Sequence, residues 1–319
     1  MAGKCSQETC FPNETGCNVE GHEYVSDCKF YNSKENKENK ESQEEEQDIL
    51  SLPWTGNTFG LSDLNFLTAG SNPIIIGVTG VASAGKTTFL STLYCLLRNG
   101  KNIGEYKFAG SLTLIGWENL AWYLSWKDDN AIQYPPHTSR NAGRVPGLLH
   151  LSLRNRDGIR KHLIFTDAPG EWFDSWIYNK NDINAKGARW IHQNSDAFFL
   201  FADSEMLSGS KRGIARNQIK LVGDRLKENL KDKPFGLIWS KSDETISADI
   251  KNQILTYIQN SPIENYKEFE TSVREGEKGI FHQNILNSIE WILDTIQNQK
   301  NAGLKVGIQK EDDLFLSKR

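Results

Sequence analysis

No stretch of this 319-residue chain is apolar enough to cross a membrane, since none approaches the about 20 residues that a spanning helix needs. Basic residues are in deficit: 37 Lys and Arg stand against 41 Asp and Glu, a net charge of −4. That balance leaves no electrostatic footprint for nucleic acid and no polybasic patch for an anionic membrane. The opening residues, Met1-Ala2-Gly3-Lys4-Cys5-Ser6-Gln7, lack the apolar core of a secretory signal. These absences set the expectation of a soluble, cytoplasmic protein. Hydrophobic residues make up 38% of the chain, enough for a large core in its middle but not throughout. Residues 1–31 hold most of the cysteine, 32–48 read as a charged linker, 49–72 as a lead-in, 73–299 as the folded domain and 300–319 as a tail.

Within the domain, Gly80-Val81-Ala82-Ser83-Ala84-Gly85-Lys86-Thr87 spells G-x-x-x-x-G-K-[ST]. A β-branched run, Ile74 to Val78, precedes it, and residues 88–97 follow with helical spacing of apolar side chains. A buried strand, a glycine-rich turn and a helix N-terminus together make a phosphate cradle. Glycines let the backbone close on the anion, turned N–H groups from Gly80, Ser83, Ala84 and Gly85 through Thr88 donate to it, and the helix end adds partial positive charge. Lys86 supplies an ammonium to the β- and γ-phosphates, and Thr87 a hydroxyl to Mg²⁺.

Later segments read as further strands. Residues 147–153 alternate, Arg156-Asp157-Gly158 signals a hairpin turn, and 161–166 form its second arm. That arm ends in Asp167-Ala168-Pro169-Gly170-Glu171. An acid at a strand end followed by x-x-Gly suits Mg²⁺ through water at Asp167 and a γ-phosphate contact from the Gly170 N–H. Residues 197–203 are a strand, apolar up to its closing Asp203, 211–231 a charged amphipathic helix, and 235–239 a strand leading to Ser240-Lys241-Ser242-Asp243. A carboxylate at Asp243 can accept two hydrogen bonds from the N1 and N2 donors of guanine, a pair adenine does not offer. Lys241 can lay its stem along the base. A strand ending in Ser272-Val273 can aim a backbone N–H at guanine O6, and a helix over 281–297 follows. The helix with Trp117, Leu120, Ala121, Tyr123 and Leu124 on one face reads as core, with a partner groove as the alternative. Tyr134 to Arg140 holds two prolines and reads as loop.

Taken in order, these stretches resemble the small GTPase domains of the translation-factor-related (TRAFAC) class. More closely, Leu52-Pro53-Trp54-Thr55-Gly56, Phe108 to Leu114, Thr138-Ser139 and Thr166 to Glu171 are similar to the bacterial double-GTPase type. The resemblance implies a three-layer α/β phosphate-loop fold with a mostly parallel sheet and one antiparallel strand, 147–153. It implies GTP and GDP as ligands, and Mg²⁺ held by Thr87 and Thr138 with Asp167 behind. It implies catalysis through Lys86, Thr138, Gly170 and Glu171, and a switch role with a second GTPase in bacterial defence or conflict loci. Three departures from the family pattern stand out, over four positions. Ser240 stands where Asn or Thr is usual, which predicts a weaker brace on the phosphate loop. Val273 and Arg274 replace Ala and Lys. Glu171 stands at the usual water-orienting Gln, which predicts slow intrinsic hydrolysis and a need for an arginine, from a partner or from Arg140 or Arg144. Two rival readings stay open: a switch that binds GTP without hydrolysing it, and an ATPase or phosphoryl-transfer enzyme in which Asp243 is incidental.

The first 31 residues carry Cys5, Cys10, Cys17 and Cys28 with His22 among them, spaced C-x4-C-x6-C-x4-H-x5-C. Such ligands suit a tetrahedral Zn²⁺, which would fold a segment too short to build its own core. The alternatives are two disulfides, which a reducing compartment disfavours, or a reduced tail. The four thiolates are the expected ligands, with His22 as substitute. Metal analysis of the purified protein should find about one zinc per chain, lost in the Cys10→Ser, Cys28→Ser double variant; zinc-free protein that keeps its full helical signal would remove the site.

Overall fold

The computed structural model describes residues 4–5, 31–32, 58–124, 147–230, 232–260, 263–274 and 279–302. The chain divides into two units, Met1–Leu52 and Pro53–Arg319. In the first, Lys4–Cys5 pairs antiparallel with Tyr31–Asn32. Cys10, Cys17, His22 and Cys28, the linker, Leu52 to Gly56, the Thr138 loop with Arg140 and Arg144, and most of the tail lie outside the described residues.

The second unit is built on seven strands: β1 (Ile74–Thr79), β2 (Lys107–Gly110), β3 (Gly147–Arg154), β4 (Arg160–Asp167), β5 (Ala197–Asp203), β6 (Phe235–Ser240) and β7 (Tyr266–Glu270). They lie in the order β2-β3-β4-β1-β5-β6-β7. Strand β3 runs against both its neighbours, and the other pairings are parallel. The three-layer fold with one antiparallel strand at 147–154 is therefore as the sequence predicts. The short strand β2 beyond it is an addition: its four residues at the edge give too little alternation to read.

The helices are α1 (Leu64–Gly70), α2 (Lys86–Arg98), α3 (Leu114–Tyr123), α4 (Gly170–Tyr178), α5 (Lys186–Asn194), α6 (Ser204–Ser208), α7 (Arg212–Lys227), α8 (Ala248–Gln259) and α9 (Phe281–Ala302). On one sheet face Phe89, Leu90 and Leu93 of α2, Trp117 of α3 and Ile285, Ile289 and Ile292 of α9 meet Ile76, Leu151, Phe165 and Phe199. On the other, Trp172, Phe173 and Trp176 of α4, Ile191 of α5, Val222 and Leu226 of α7 and Ile254 of α8 meet Phe198, Leu200 and Leu237. Alternation along β5 explains the split: Phe199 and Phe201 face the first layer, Phe198 and Leu200 the second. All seven positions are buried, and the six before Asp203 read as one apolar run because both faces are covered. A third, smaller cluster packs Phe59 and Leu67 of the lead-in on Leu148 and Ile164.

Because β4, β1, β5, β6 and β7 run parallel, their C-terminal ends emerge at one edge. The loops after Thr79, Asp167, Asp203, Ser240 and Glu270, far apart in sequence, converge there.

On β3, His150 is buried and fully engaged. Its Nδ1 accepts from Leu112 N at 2.9 Å, its Nε2 faces His162 Nδ1 at 3.0 Å, and its backbone O accepts from Trp117 Nε1 at 2.7 Å. Since Nδ1 accepts, the ring carries its proton on Nε2 and donates to His162. Burial, then the neighbouring His162, pushes the His150 pKa down to about 4, and burial also lowers His162 and His192. A histidine held neutral in the fold binds fewer protons than the open chain in mild acid. Its stabilising share is complete above the unfolded pKa of about 6.5 and is lost as pH falls toward 4. Urea unfolding should therefore show stability falling by about 3 kcal/mol from pH 7 to pH 4 on account of His150, and a His150→Phe variant should have a flatter pH profile over that range.

Candidate functional site

The phosphate loop leaves β1 through Gly80 and enters α2 at Lys86. Gly85 caps the helix with φ +83°, and a Cβ there would press on Ser240 Cβ at 3.3 Å. Ser83 takes the left-handed conformation too, at φ +62°, which a side chain rarely adopts. These turns are what line up successive N–H groups as an anion nest. Lys86 is buried, and its Nζ donates to Gly80 O and Val81 O, both at 2.9 Å. Burial lowers its pKa to about 8, against the pull of Asp167, Glu171 and Asp174. Thr87 Oγ1 donates to Asp167 Oδ1 at 3.0 Å, joining the start of α2 to the end of β4. A hydroxyl and a carboxylate so placed are hard oxygen donors of the kind Mg²⁺ takes, one directly and one through water.

Gly170 opens α4 directly against the loop: a Cβ built on it would lie 2.1 Å from Ala82 N and 2.3 Å from Ala82 Cα. Only glycine fits there. Glu171 follows in the first turn of α4, where a carboxylate also complements the helix dipole. One turn on, Asp174 takes hydrogen bonds from the Ala82 N–H and, at 3.1 Å, from Gln218 Nε2 of α7. Burial raises the Asp174 pKa and the Lys86 ammonium opposes that shift. Asp174 is absent from the sequence expectations because no helix is assigned there over 171–196. The spacing of Trp172, Phe173, Trp176 and Ile177 is the signal that finds it.

At the other end, Ser240 Oγ donates to Ala84 O at 2.8 Å. The brace on the phosphate loop is thus made by serine, because β6 ends close enough for the short side chain to reach. Asp243 Oδ1 accepts from Ser272 Oγ at 2.6 Å, and Arg274 Nη1 stands 3.8 Å from Oδ2. Strand β7 ends at Glu270, so Ser272 and Val273 belong to the loop beyond it rather than to the strand. His282 Nε2 meets Val273 O at 2.9 Å and fixes that loop to α9. Lys241, at φ +53°, turns its ammonium to Asp203 and Glu205. Hydrogen bonds to that pair outweigh burial and raise its pKa.

The phosphate loop, the start of α4 and the loops after β6 and β7 face one cavity of about 510 Å³. Ser83 to Thr88, Gly170 and Glu171 line one part of it, and Ser240, Lys241, Asp243, Ser272 and Val273 another. Gly80 and Asp167 support it from behind through the bonds of Lys86 and Thr87. Of the expected site residues, Thr138 lies outside the described residues. Among the described residues no group of three or more His, Cys, Asp or Glu side chains is placed to hold a metal, and the zinc candidates' side chains fall outside them.

The family model Double-GTPase 2 matches residues 74–292. The chain belongs to that family. As a member of Double-GTPase 2 it is a GTP-binding protein of the phosphate-loop type. No curated protein matches its sequence. Among solved structures it is similar to the Arl6 (BBS3) small GTPase from Trypanosoma brucei with the bound nucleotide analogue GppNp, at 13% identity and a TM-score of 0.39. That match covers 72% of this chain and 99% of the other. No described helix of this Double-GTPase 2 protein is long and apolar enough to cross a membrane.

The Gly170 contact yields a test. Gly170→Ala forces a methyl into loop backbone that cannot yield as a side-chain tip would. Denaturant unfolding should show a loss of about 1–3 kcal/mol, and an unchanged midpoint would mean that α4 does not seat on the loop.

Proposed function

We propose that the protein binds GTP and GDP with Mg²⁺ and hydrolyses GTP to GDP and phosphate, acting as a molecular switch toward a protein partner, a second GTPase by family resemblance. The observation that supports this best is the convergence of the Lys86 loop and the Asp243–Ser272 pair on one cavity.

In this reading the Gly80–Thr88 nest and Lys86 take the β- and γ-phosphates, and their donors neutralise charge that develops on the transferred group. Thr87 and Thr138 would hold Mg²⁺, with Asp167 behind them through water, and the ion would supply additional charge neutralisation at the phosphate oxygens. Gly170 presents its N–H beside the loop, and Glu171 orients the attacking water for in-line displacement. Asp243 reads guanine through N1 and N2. Ser272 holds that carboxylate in place with a hydrogen bond to Oδ1. A carboxylate at Glu171 repels the γ-phosphate as well as orienting water, so slow turnover is part of the proposal, with an arginine from the partner as the accelerator.

Binding of labelled GTP, GDP and ATP tests the assignment. Lys86→Ala should abolish nucleotide binding. Asp243→Asn should cut the preference for guanine by about 10- to 100-fold, the worth of hydrogen bonds to a charged group. Equal affinity for ATP and GTP in the wild type, unmoved by Asp243→Asn, would make this an ATP site. Phosphate release in a single turnover separates the enzyme from the silent switch, since Glu171 beside Lys86 favours the latter if no phosphate appears over hours.

A further inference from the structure

Strand β5 and strand β6 pair in parallel with Asp203 opposite Ser240, so the acid and Lys241 leave the sheet edge side by side. Asp203 is buried, and its Oδ1 accepts from the N–H groups of Glu205 and Met206 at 3.0 and 3.2 Å, capping α6. Its other oxygen takes Lys241 Nζ at 2.7 Å, and Glu205 Oε2 takes the same ammonium at 2.8 Å. Lys241 holds a left-handed backbone, φ +53°, that a lysine rarely adopts unless its surroundings over-determine it. Glu205 and Lys241 both line the nucleotide cavity.

We propose that Asp203 and Glu205 are positioning residues for the guanine site: they anchor the Lys241 ammonium so that its alkyl stem is held along the base, and Glu205 thereby sets the rate of nucleotide release. The proposal rests on the guanine reading of the cavity. Its physical content is an entropy argument. A lysine stem is a poor wall while it rotates freely, and two carboxylates on one ammonium remove that freedom before the base arrives. The two contacts differ in kind. Asp203 is inside, already satisfied by backbone donors, and would be left a buried anion without Lys241. Glu205 is outside, with 64% of its side chain exposed, and works as an adjustable outer clasp that salt can screen. Neither acid touches the phosphates' own ligands: Lys86 and Thr87 bond elsewhere.

The clean test is on Glu205, whose exposure keeps substitutions from unfolding the protein. Release of fluorescent GDP from full-length protein is followed by chase with unlabelled GDP, at about 50 mM and about 500 mM KCl, conditions that bracket strong and weak screening. Wild-type release should quicken with salt. Glu205→Gln should release about threefold faster at low salt, the worth of an exposed ion pair, and respond less to salt. Glu205→Lys, which turns attraction into repulsion, should be faster still. In a Lys241→Met background Glu205→Gln should add nothing, a non-additivity that a role in folding alone would not produce. Wild-type rates in both Glu205 variants, or a Glu205→Gln effect undiminished without Lys241, would overturn the anchor while leaving the guanine assignment standing. A wild type that retains no guanine nucleotide would overturn the assignment and the anchor with it.

Discussion

Lys86 is a full positive charge at a position only 6% exposed. Removing such a charge from water costs several kcal/mol unless partners replace the solvent. Two backbone carbonyls do so at 2.9 Å, and both belong to the loop the lysine itself terminates. The remaining compensation comes from carboxylates on other elements: Asp167 from β4, Glu171 and Asp174 from α4. One buried ammonium thus explains why the end of β4 and the first turns of α4 must sit where they do. It also explains why Gly170 has no room for a side chain. The loop's curvature, in turn, requires the positive φ at Gly85 and Ser83.

Parallel pairing carries this organisation across the sheet. Each strand from β4 to β7 delivers its loop to the same edge, so motifs spread over two hundred residues of chain arrive in one cavity of about 510 Å³. The same edge joins the loops after β6 and β7, since Ser242 N bonds Thr271 O at 3.0 Å and Ser272 bonds Asp243. The proposed base and phosphate ends of the cavity therefore rest on one piece of backbone architecture. Ser240 links them with a single hydrogen bond to Ala84 O.

Much of this was legible before any coordinate. The phosphate loop announces itself by spacing, and β5 by six apolar residues in a row ahead of Asp203, because burial on both faces leaves no polar position within that run. The antiparallel arm at 147–154 follows from Gly158 at its turn. What stayed hidden has physical reasons. Strand β2 is too short for period two to register. Helix α4 follows a proline and is separated from α5 by Asn179 to Asp182 and a 3₁₀ turn at Ile183–Ala185, whose turn signals mask the aromatic period of Trp172, Phe173 and Trp176. Asp174 and the Asp203–Glu205 pair are ordinary acids in the sequence. They acquire meaning only from the helix that lifts one to the loop and from the strand register that sets the other beside Lys241.

Both margins of the sheet are built as boundaries. At one, β2 offers four residues, loses register between Phe108 and Gly110, and presents Lys107 to solvent. At the other, β7 exposes Lys267, Glu268 and Glu270 around a single buried Phe269. A short, kinked ribbon and a charged one are both poor templates for a further strand. An open sheet whose core is this rich in phenylalanine and isoleucine would otherwise invite stacking of molecules edge to edge. The charges at its margins protect it from aggregation without using any residue of the nucleotide cavity.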